Sequence, residues 1–393
     1  MAALDIAVVG AGIGGLTAAL ALADAGHRVT VIERRTGFSE VGAGLQLSPN
    51  ASRVLGDLGL GAALRRAASE PPGVTVRALD SGRRIGAVAL GAAARERYGA
   101  PYYVIHRADL QTVLLDAVRG RPNIRLLVGR GVTGLAERAD EIALTCESDA
   151  RVDTVEADLV IGADGLHSRI RGHLDPAPLR AGHMAAWRAV IPREGLPDGL
   201  GGAETGLWLG SGRHVVHYPI RGGRFLNVVA IVPERQGDAD WGRIGDPAVL
   251  RTHFRGCAAP LRELLALPDS WLVWSLAERS VARPIARGRV ALLGDAAHPV
   301  LPFLAQGAAL AIEDAAVLVR HLDGRPVPEA LADYGAARAG RVARVQRAAR
   351  RNGRTYHAGS LTAFARDLVM RRLGPDGMRE RYAWLYGWTP DTA

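Results

Sequence analysis

Residues 6–15, Ile6-Ala-Val-Val-Gly10-Ala-Gly12-Ile-Gly14-Gly15, are followed by an Ala/Leu-rich stretch, Leu16 to Ala25, and by a second apolar run, Arg28 to Ile32, that ends on Glu33. Strand, glycine-rich turn, helix, strand and terminal acid in this order make a dinucleotide-binding unit. Gly10 permits the tight turn, Gly12 lets the backbone approach a pyrophosphate, and Gly15 lets the helix lie close to the strand. The helix N-terminus offers unpaired N–H groups and partial positive charge to the same anion. Glu33 can accept hydrogen bonds from ribose hydroxyls and would repel a 2′-phosphate, so the site favours FAD or NAD over NADP. An ordinary strand–turn–helix needs neither three glycines nor the acid.

The chain around this unit has 393 residues, enough for two or three domains. With 48% hydrophobic and 23% charged residues it has the composition of a globular protein. Cys146 and Cys257 form no motif, which argues against a disulfide framework and fits a reducing cytoplasm. No basic region precedes an apolar core at the start, and Asp5 interrupts the first run, so no signal peptide is expected. The longest apolar stretch, Val300 to Val319, holds Gln306, Glu313 and Asp314 and is no membrane span.

All 49 basic residues are Arg, and the formal charge is +9. The absence of Lys excludes Schiff-base catalysis and a Walker-type phosphate loop. The Arg residues are scattered and aromatic residues make up only 5%, so no nucleic-acid surface is read. The cluster Arg338–Arg354 is read as the solvated face of a helix. Charge of this sign also attracts anionic cofactors and substrates.

Further along, Pro49 to Leu58 reads as a helix, 73–80 and 101–105 as short strands, and Arg107 to Arg119 as a helix with Leu110, Val113, Leu114 and Val118 on one face. Strand-like runs follow at 124–128, 131–137 and 141–147, the last two joined by a turn at Arg138-Ala-Asp. Asp158-Leu-Val-Ile-Gly has the continuous apolar character of a buried parallel strand. Between 185 and 276 the pattern changes to strand-length segments separated by turns, with one helix near 248–256, which reads as a mostly antiparallel sheet. A short strand, Val290 to Leu293, returns to the first domain, and helices follow at about 306–322, 328–350 and 359–372. The expected fold class is α/β: a doubly wound Rossmann-type domain (1–175 plus 280–345), an inserted β-rich domain (176–279) and a C-terminal helical region (346–393).

Two further segments bear on the ligand. Gly162-Ala-Asp164-Gly165-Leu-His-Ser-Arg-Ile-Arg directly follows a strand, and Gly288-Arg-Val-Ala-Leu-Leu-Gly-Asp295-Ala-Ala-His-Pro runs on to Gln306-Gly-Ala-Ala-Leu-Ala-Ile-Glu-Asp-Ala. Asp295 at a strand end can bond a polyol hydroxyl, and Gly307 and Ala308 open a helix whose N–H groups can face a carbonyl or anion. Together with the opening fingerprint, these segments resemble the single-component, FAD-dependent aromatic hydroxylases related to salicylate hydroxylase and hydroxybenzoate hydroxylases. The resemblance runs from Gly10 to the helix after Asp314.

It implies that Gly10, Gly12, Gly14 and Gly15 hold the FAD pyrophosphate, that Glu33 holds the adenosine ribose with Arg34 beside it, and that Val132 contacts adenine through its backbone. Arg107 reaches the cofactor, Asp164 and Gly165 belong to a motif linked to FAD and NAD(P)H, and Asp295 binds ribityl hydroxyls. Gly307, Ala308 and Ala309 approach the isoalloxazine, and the loop Gly42 to Gln46 lies beside it. FAD is bound tightly without a covalent link. NADH or NADPH reduces it with no separate nicotinamide domain, and O2 is activated as a flavin C4a-hydroperoxide. The resemblance leaves room for a homodimer.

A small phenolic or heteroaromatic acid is the expected substrate, and its activation is a general-base problem. In Arg213-His214-Val-Val-His217-Tyr218-Pro219, strand geometry puts His214 and Tyr218 on one face and His217 on the other. An imidazole suits taking a phenolic proton at neutral pH, so His214 and Tyr218 are the candidate catalytic pair. Trp187 and Phe303 are candidate walls, Arg188 and Arg213 can pair with a substrate carboxylate, and His298 reads as structural. No metal is expected. Pro302 stands where some hydroxybenzoate members carry Gln, and Gln46 where a hydroxynicotinate-type member carries His, which weakens transfer of their regiochemistry. A larger secondary-metabolite substrate, an oxygen-independent flavin reductase and a flavin-binding regulator are the competing readings.

Overall fold

A computed structural model describes residues 3–38, 43–149, 151–234 and 241–392. The opening apolar run becomes the strand Asp5–Val9 at the heart of a six-stranded sheet. It lies parallel between Arg28–Glu33 and Leu159–Gly162, with Ile124–Val128 outside the first and Val290–Leu292 outside the second. Ile6, Ala7, Val8 and Val9 are all buried, as expected of a strand covered on both faces. The helix Ile13–Asp24 lies under the sheet beside Arg107–Arg119 and Gly307–Leu322. The turn at Arg138 is closed by a hydrogen bond from its N–H to the carbonyl of Glu141.

A second sheet of eight strands runs Trp241–Gly245, Trp271–Glu278, Arg180–Pro192, Phe225–Pro233, Arg213–Ile220, Thr205–Gly210, Gly73–Ala78, Arg84–Ala89. Its neighbours are antiparallel except for Thr205–Gly210 against Gly73–Ala78. The helices Pro247–His253 and Ala259–Ala266 cover one face, over Trp187, Trp208, Val215 and Trp271. The other face looks towards Phe303 and the long C-terminal helices Val327–Tyr356 and Ser360–Glu380.

Two features differ from the boundaries read in the sequence. Residues 73–89, expected in the first domain, extend the second sheet, because strand partners are chosen across the chain and not by sequence neighbourhood. The expected boundary at 345/346 falls inside the continuous helix Val327–Tyr356, whose buried face (Leu331, Tyr334, Val342, Val345, Ala349) runs unbroken through it. The chain end also returns to the first core through Trp388.

The basic cluster on this helix is only partly a solvated face. Arg344, Arg347 and Arg350 are exposed, but Arg338 turns fully inward. Its Nε donates to Asp314 Oδ1 at 2.6 Å and its Nη2 to Glu313 Oε2 at 3.0 Å. The two acids come from the helix Gly307–Leu322, so this ion pair ties the two helices together in the core.

Candidate active site

The strand ends and the glycine turn open on a cavity of about 790 Å3, within the range of about 300–1,000 Å3 usual for ligand sites. Gly10, at φ +106°, makes the turn, and a Cβ there would stand 2.5 Å from the carbonyl oxygen of Ala163. A Cβ on Gly12 would meet nothing, so the helix N-terminus that Gly12 caps faces open space. Gly15 has a packing role, since a Cβ would collide with the carbonyl of Gly10. Gly14 also faces protein: a Cβ would press on Leu293 and Ala311. It sets the distance to the neighbouring helix and does not line the cavity.

Glu33, Arg34 and Val132 line one end of the cavity. Glu33 accepts from the N–H of Ala11 at 2.8 Å and of Arg35 at 2.9 Å, which fixes its carboxylate beside the turn. Arg107, Asp164, Gly165 and Asp295 are also among its lining residues. Asp164 Oδ2 accepts from the N–H groups of Arg169 and Ile170, while its buried Oδ1 has no partner. Burial pushes the Asp164 carboxyl up against these bonds. Asp295 projects into the cavity, and the protein around it raises its carboxyl above the usual range, against the pull of His298 and Arg107. A donor-rich helix end, an orphaned carboxylate oxygen and polar groups around one cavity suit a dinucleotide.

Trp274 of the second sheet also lines the cavity, and the inner face of that sheet carries the candidate acid–base residues. On Arg213–Ile220, His214 and Tyr218 share that face and His217 takes the other, packed against Trp208 and Gly206. His214 is buried, and its Nδ1 lies 2.8 Å from Nε2 of His357, at the end of Val327–Tyr356. Phe303 and Tyr356 rings complete its surroundings, centroids 5.7 and 5.4 Å away. Burial, and then the neighbouring His357, hold His214 well below the ordinary imidazole value, and burial takes His357 to about 4. Both rings are therefore neutral at pH 7, and one must donate to the other. Tyr218 is pushed above the usual phenol value by burial and stays protonated. Its ring packs on Gly44, whose N–H donates to Asn227 Oδ1 at 2.6 Å.

The FAD binding domain family matches residues 3–349. Over 389 residues the chain is 35% identical to 3-hydroxybenzoate 6-hydroxylase of Klebsiella oxytoca, covering 98% of this chain and 96% of the relative. It is 39% identical to 3-amino-4-hydroxybenzoate 2-monooxygenase of Streptomyces cremeus, covering 98% and 95%. The crystal structure of Klebsiella pneumoniae HpxO complexed with FAD and uric acid superimposes with a TM-score of 0.85 at 28% identity, covering 98% and 96%. The chain belongs to the FAD-dependent aromatic hydroxylases.

This hydroxylase brings nine of its expected cofactor residues to one cavity: Gly10, Gly12, Glu33, Arg34, Arg107, Val132, Asp164, Gly165 and Asp295. The other six lie elsewhere. Gly14 and Gly15 are packing positions. Gln46 is on the strand Gly44–Leu47, paired with Tyr103–His106, and accepts from the Tyr102 hydroxyl at 2.5 Å. The expected loop is thus a strand from Gly44 onward, and Gly42 lies outside the described residues. Gly307 and Ala308 are half-buried at a helix start, whereas Ala309 is fully buried in the core. His298 is structural, bound to Asp314 at 2.7 Å. Trp187 and Arg213 belong to the far face of the sheet, beside Gly245 and Phe254 respectively.

Sequence reading missed Gln111 and His357. Gln111 is buried, donates to the Ala11 carbonyl at 3.1 Å and lines the cavity with an unpartnered Oε1. A polar residue beside the apolar face of its helix was the available signal. His357 lies 143 residues from His214, so nothing local pointed to the pair.

Proposed function

We propose that this flavoprotein monooxygenase uses NADH or NADPH and O2 to hydroxylate a small phenolic or heteroaromatic acid between the dinucleotide cavity and the inner sheet face. The single observation that carries the reading is the neutral His214–His357 pair on the same face as Tyr218, in the sheet whose Trp274 lines that cavity.

The residues fit FAD. Gly12 and its helix N-terminus would take the pyrophosphate, Glu33, Arg34 and Val132 the adenosine end, and Arg107, Asp164, Gly165 and Asp295 the stretch beyond. FAD supplies the electron transfer from the nicotinamide and the oxygen activation. The chain's own task is to hold the aromatic ring, exclude water and move one proton. His214 offers a neutral ring nitrogen to the substrate hydroxyl. The proton it takes passes through the 2.8 Å contact to His357, which is half-exposed and hands it to solvent. Tyr218, held protonated by burial, acts as a hydrogen-bonding group and not as the base. Phe303 and the valines of the sheet keep the chamber apolar.

The reading includes a cytoplasmic location, supported by two unpaired buried cysteines, and no nucleic-acid partner. Among the described residues no helix is long and apolar enough to cross a membrane. A homodimer is also part of it, supported by Leu361, Phe364 and Leu368 exposed along one helix; light scattering tests it. The activity test is a panel of phenolic and pyridine acids, scored for stimulated NAD(P)H oxidation with products identified by mass spectrometry. His214→Ala and His357→Phe should each slow hydroxylation roughly 100-fold or more while flavin reduction changes little. Hydroxylation by His214→Ala at the unaltered rate from about pH 6 to 9 removes the proposed base.

A further inference from the structure

Buried arginines in this protein have anionic partners. Arg338 has Glu313 and Asp314, and Arg171 has Asp175 with three backbone carbonyls. Arg188 is half-buried and departs from this pattern. It stands on the strand Arg180–Pro192, between Leu272 and Val229 of the neighbouring strands, and its guanidinium lies 4.3 Å over the Trp274 ring. Its Nε is buried without a partner. Among the described residues no carboxylate pairs with it. The charges that reach it are the Tyr218 hydroxyl and a second cation, Arg107. Enclosure lowers it to about 10, so it remains charged at neutral pH. A half-buried cation whose Nε is shut off from water without a partner has an unfilled bonding position that an anion would complete.

Trp274 lines the dinucleotide cavity but Arg188 does not, so the FAD phosphates at the Gly12 end are not its partner. The register Arg188–Val229–Val216 sets Arg188 two strands from the strand of His214 and Tyr218, with valines as the floor between. Two inter-strand spacings are about 10 Å, enough for one aromatic ring between the cation and the imidazole–phenol pair.

We propose that Arg188 anchors the substrate carboxylate, so that this enzyme selects aromatic acids over the matching neutral phenols and holds the ring with its carboxylate on Arg188 and its hydroxyl towards His214. This rests on the aromatic-hydroxylase reading above. Arg188 is a specificity-determining residue and takes no part in the bond-making steps.

The test uses FAD-loaded wild type, Arg188→Gln, Arg188→Met and Arg188→Lys, with 3-hydroxybenzoate and its neutral isostere 3-hydroxybenzamide as probes and the flavin absorbance as the binding signal. Wild type should favour the acid, and Gln and Met should weaken the acid roughly 10- to 100-fold while the amide changes less than about threefold. Lys should fall between them. Equal losses for both probes, or no loss for the acid, overturn the assignment. A wild type that binds the amide as tightly as the acid overturns the anchor and leaves the hydroxylase standing. A wild type that responds to neither probe, nor to any acid of the activity panel, overturns both. Thermal unfolding without substrate gives a second readout. Arg188→Met should be as stable as wild type or more so, because it removes an uncompensated charge. Destabilisation by several degrees would make Arg188 a structural residue and end the proposal.

Discussion

Arg338→Met tests how firmly the helix that borders the fingerprint is anchored. The guanidinium bonds both Asp314 and Glu313 in a place with no solvent access. Removing one partner of a buried pair costs about 3–5 kcal/mol, because a charge is left behind. The stranded acids keep other partners here. Glu313 retains Arg341 and the Asn50 amide, both at 2.7 Å, and Asp314 retains the Gly294 N–H at 2.8 Å and His298 at 2.7 Å. The expected loss therefore lies at the low end, about 3 kcal/mol. Burial alone would push the Asp314 carboxyl up; His298 and Arg338 bring it down to about 2. Without Arg338 that balance moves back towards the protonated acid. Ala311 of the same helix packs on Gly14, so FAD affinity should fall with stability. The assay is denaturant unfolding of the FAD-free protein, with flavin binding measured in parallel. In a Glu313→Gln, Asp314→Asn background the same substitution should cost clearly less. A loss under about 1 kcal/mol in the otherwise unaltered chain would refute the reasoning.

Three other outcomes follow from the same structure. Burial, and then Arg77, hold His217 at about 4 against 6.5 in the unfolded chain, so the unfolded state binds the extra proton between these values and stability rises with pH across that window. His217's share of the stability lost as pH falls from 6.5 towards 4 is about 3 kcal/mol, added to that of His214 and His357, and His217→Gln should make the slope shallower by that share in acid unfolding curves; an unaltered slope counts against it. Gly15→Ala puts a methyl against the Gly10 carbonyl and should cost about 2–3 kcal/mol together with flavin retention, read by thermal unfolding and the flavin-to-protein absorbance ratio. Asp295→Ala should weaken FAD roughly 10- to 100-fold in titrations of FAD-free protein, and full retention of the flavin contradicts its place in the cofactor site.

The sequence alone determined the dinucleotide end of this protein. Gly10, Gly12, Gly15, Glu33 and the continuous apolar strands are local signals, since turn, helix start and acid lie within one βαβ unit whose geometry is set by short-range sterics. The alternation that puts His214 and Tyr218 together is equally local. Only the tertiary structure decided the rest. Gly14 became a helix-packing position because Ala311 of a distant segment sits on it. Residues 73–89 joined the second sheet through a parallel partner 131 residues ahead in the chain, as in Val74 with Thr205. Arg338 and Arg341 left the solvent because acids two dozen residues earlier met them in the core. His357 reached His214, and Arg188 was left without a carboxylate among the described residues, for the same physical reason: whether a charge or a proton has a partner depends on distances across the folded chain, which spacing along the sequence does not encode.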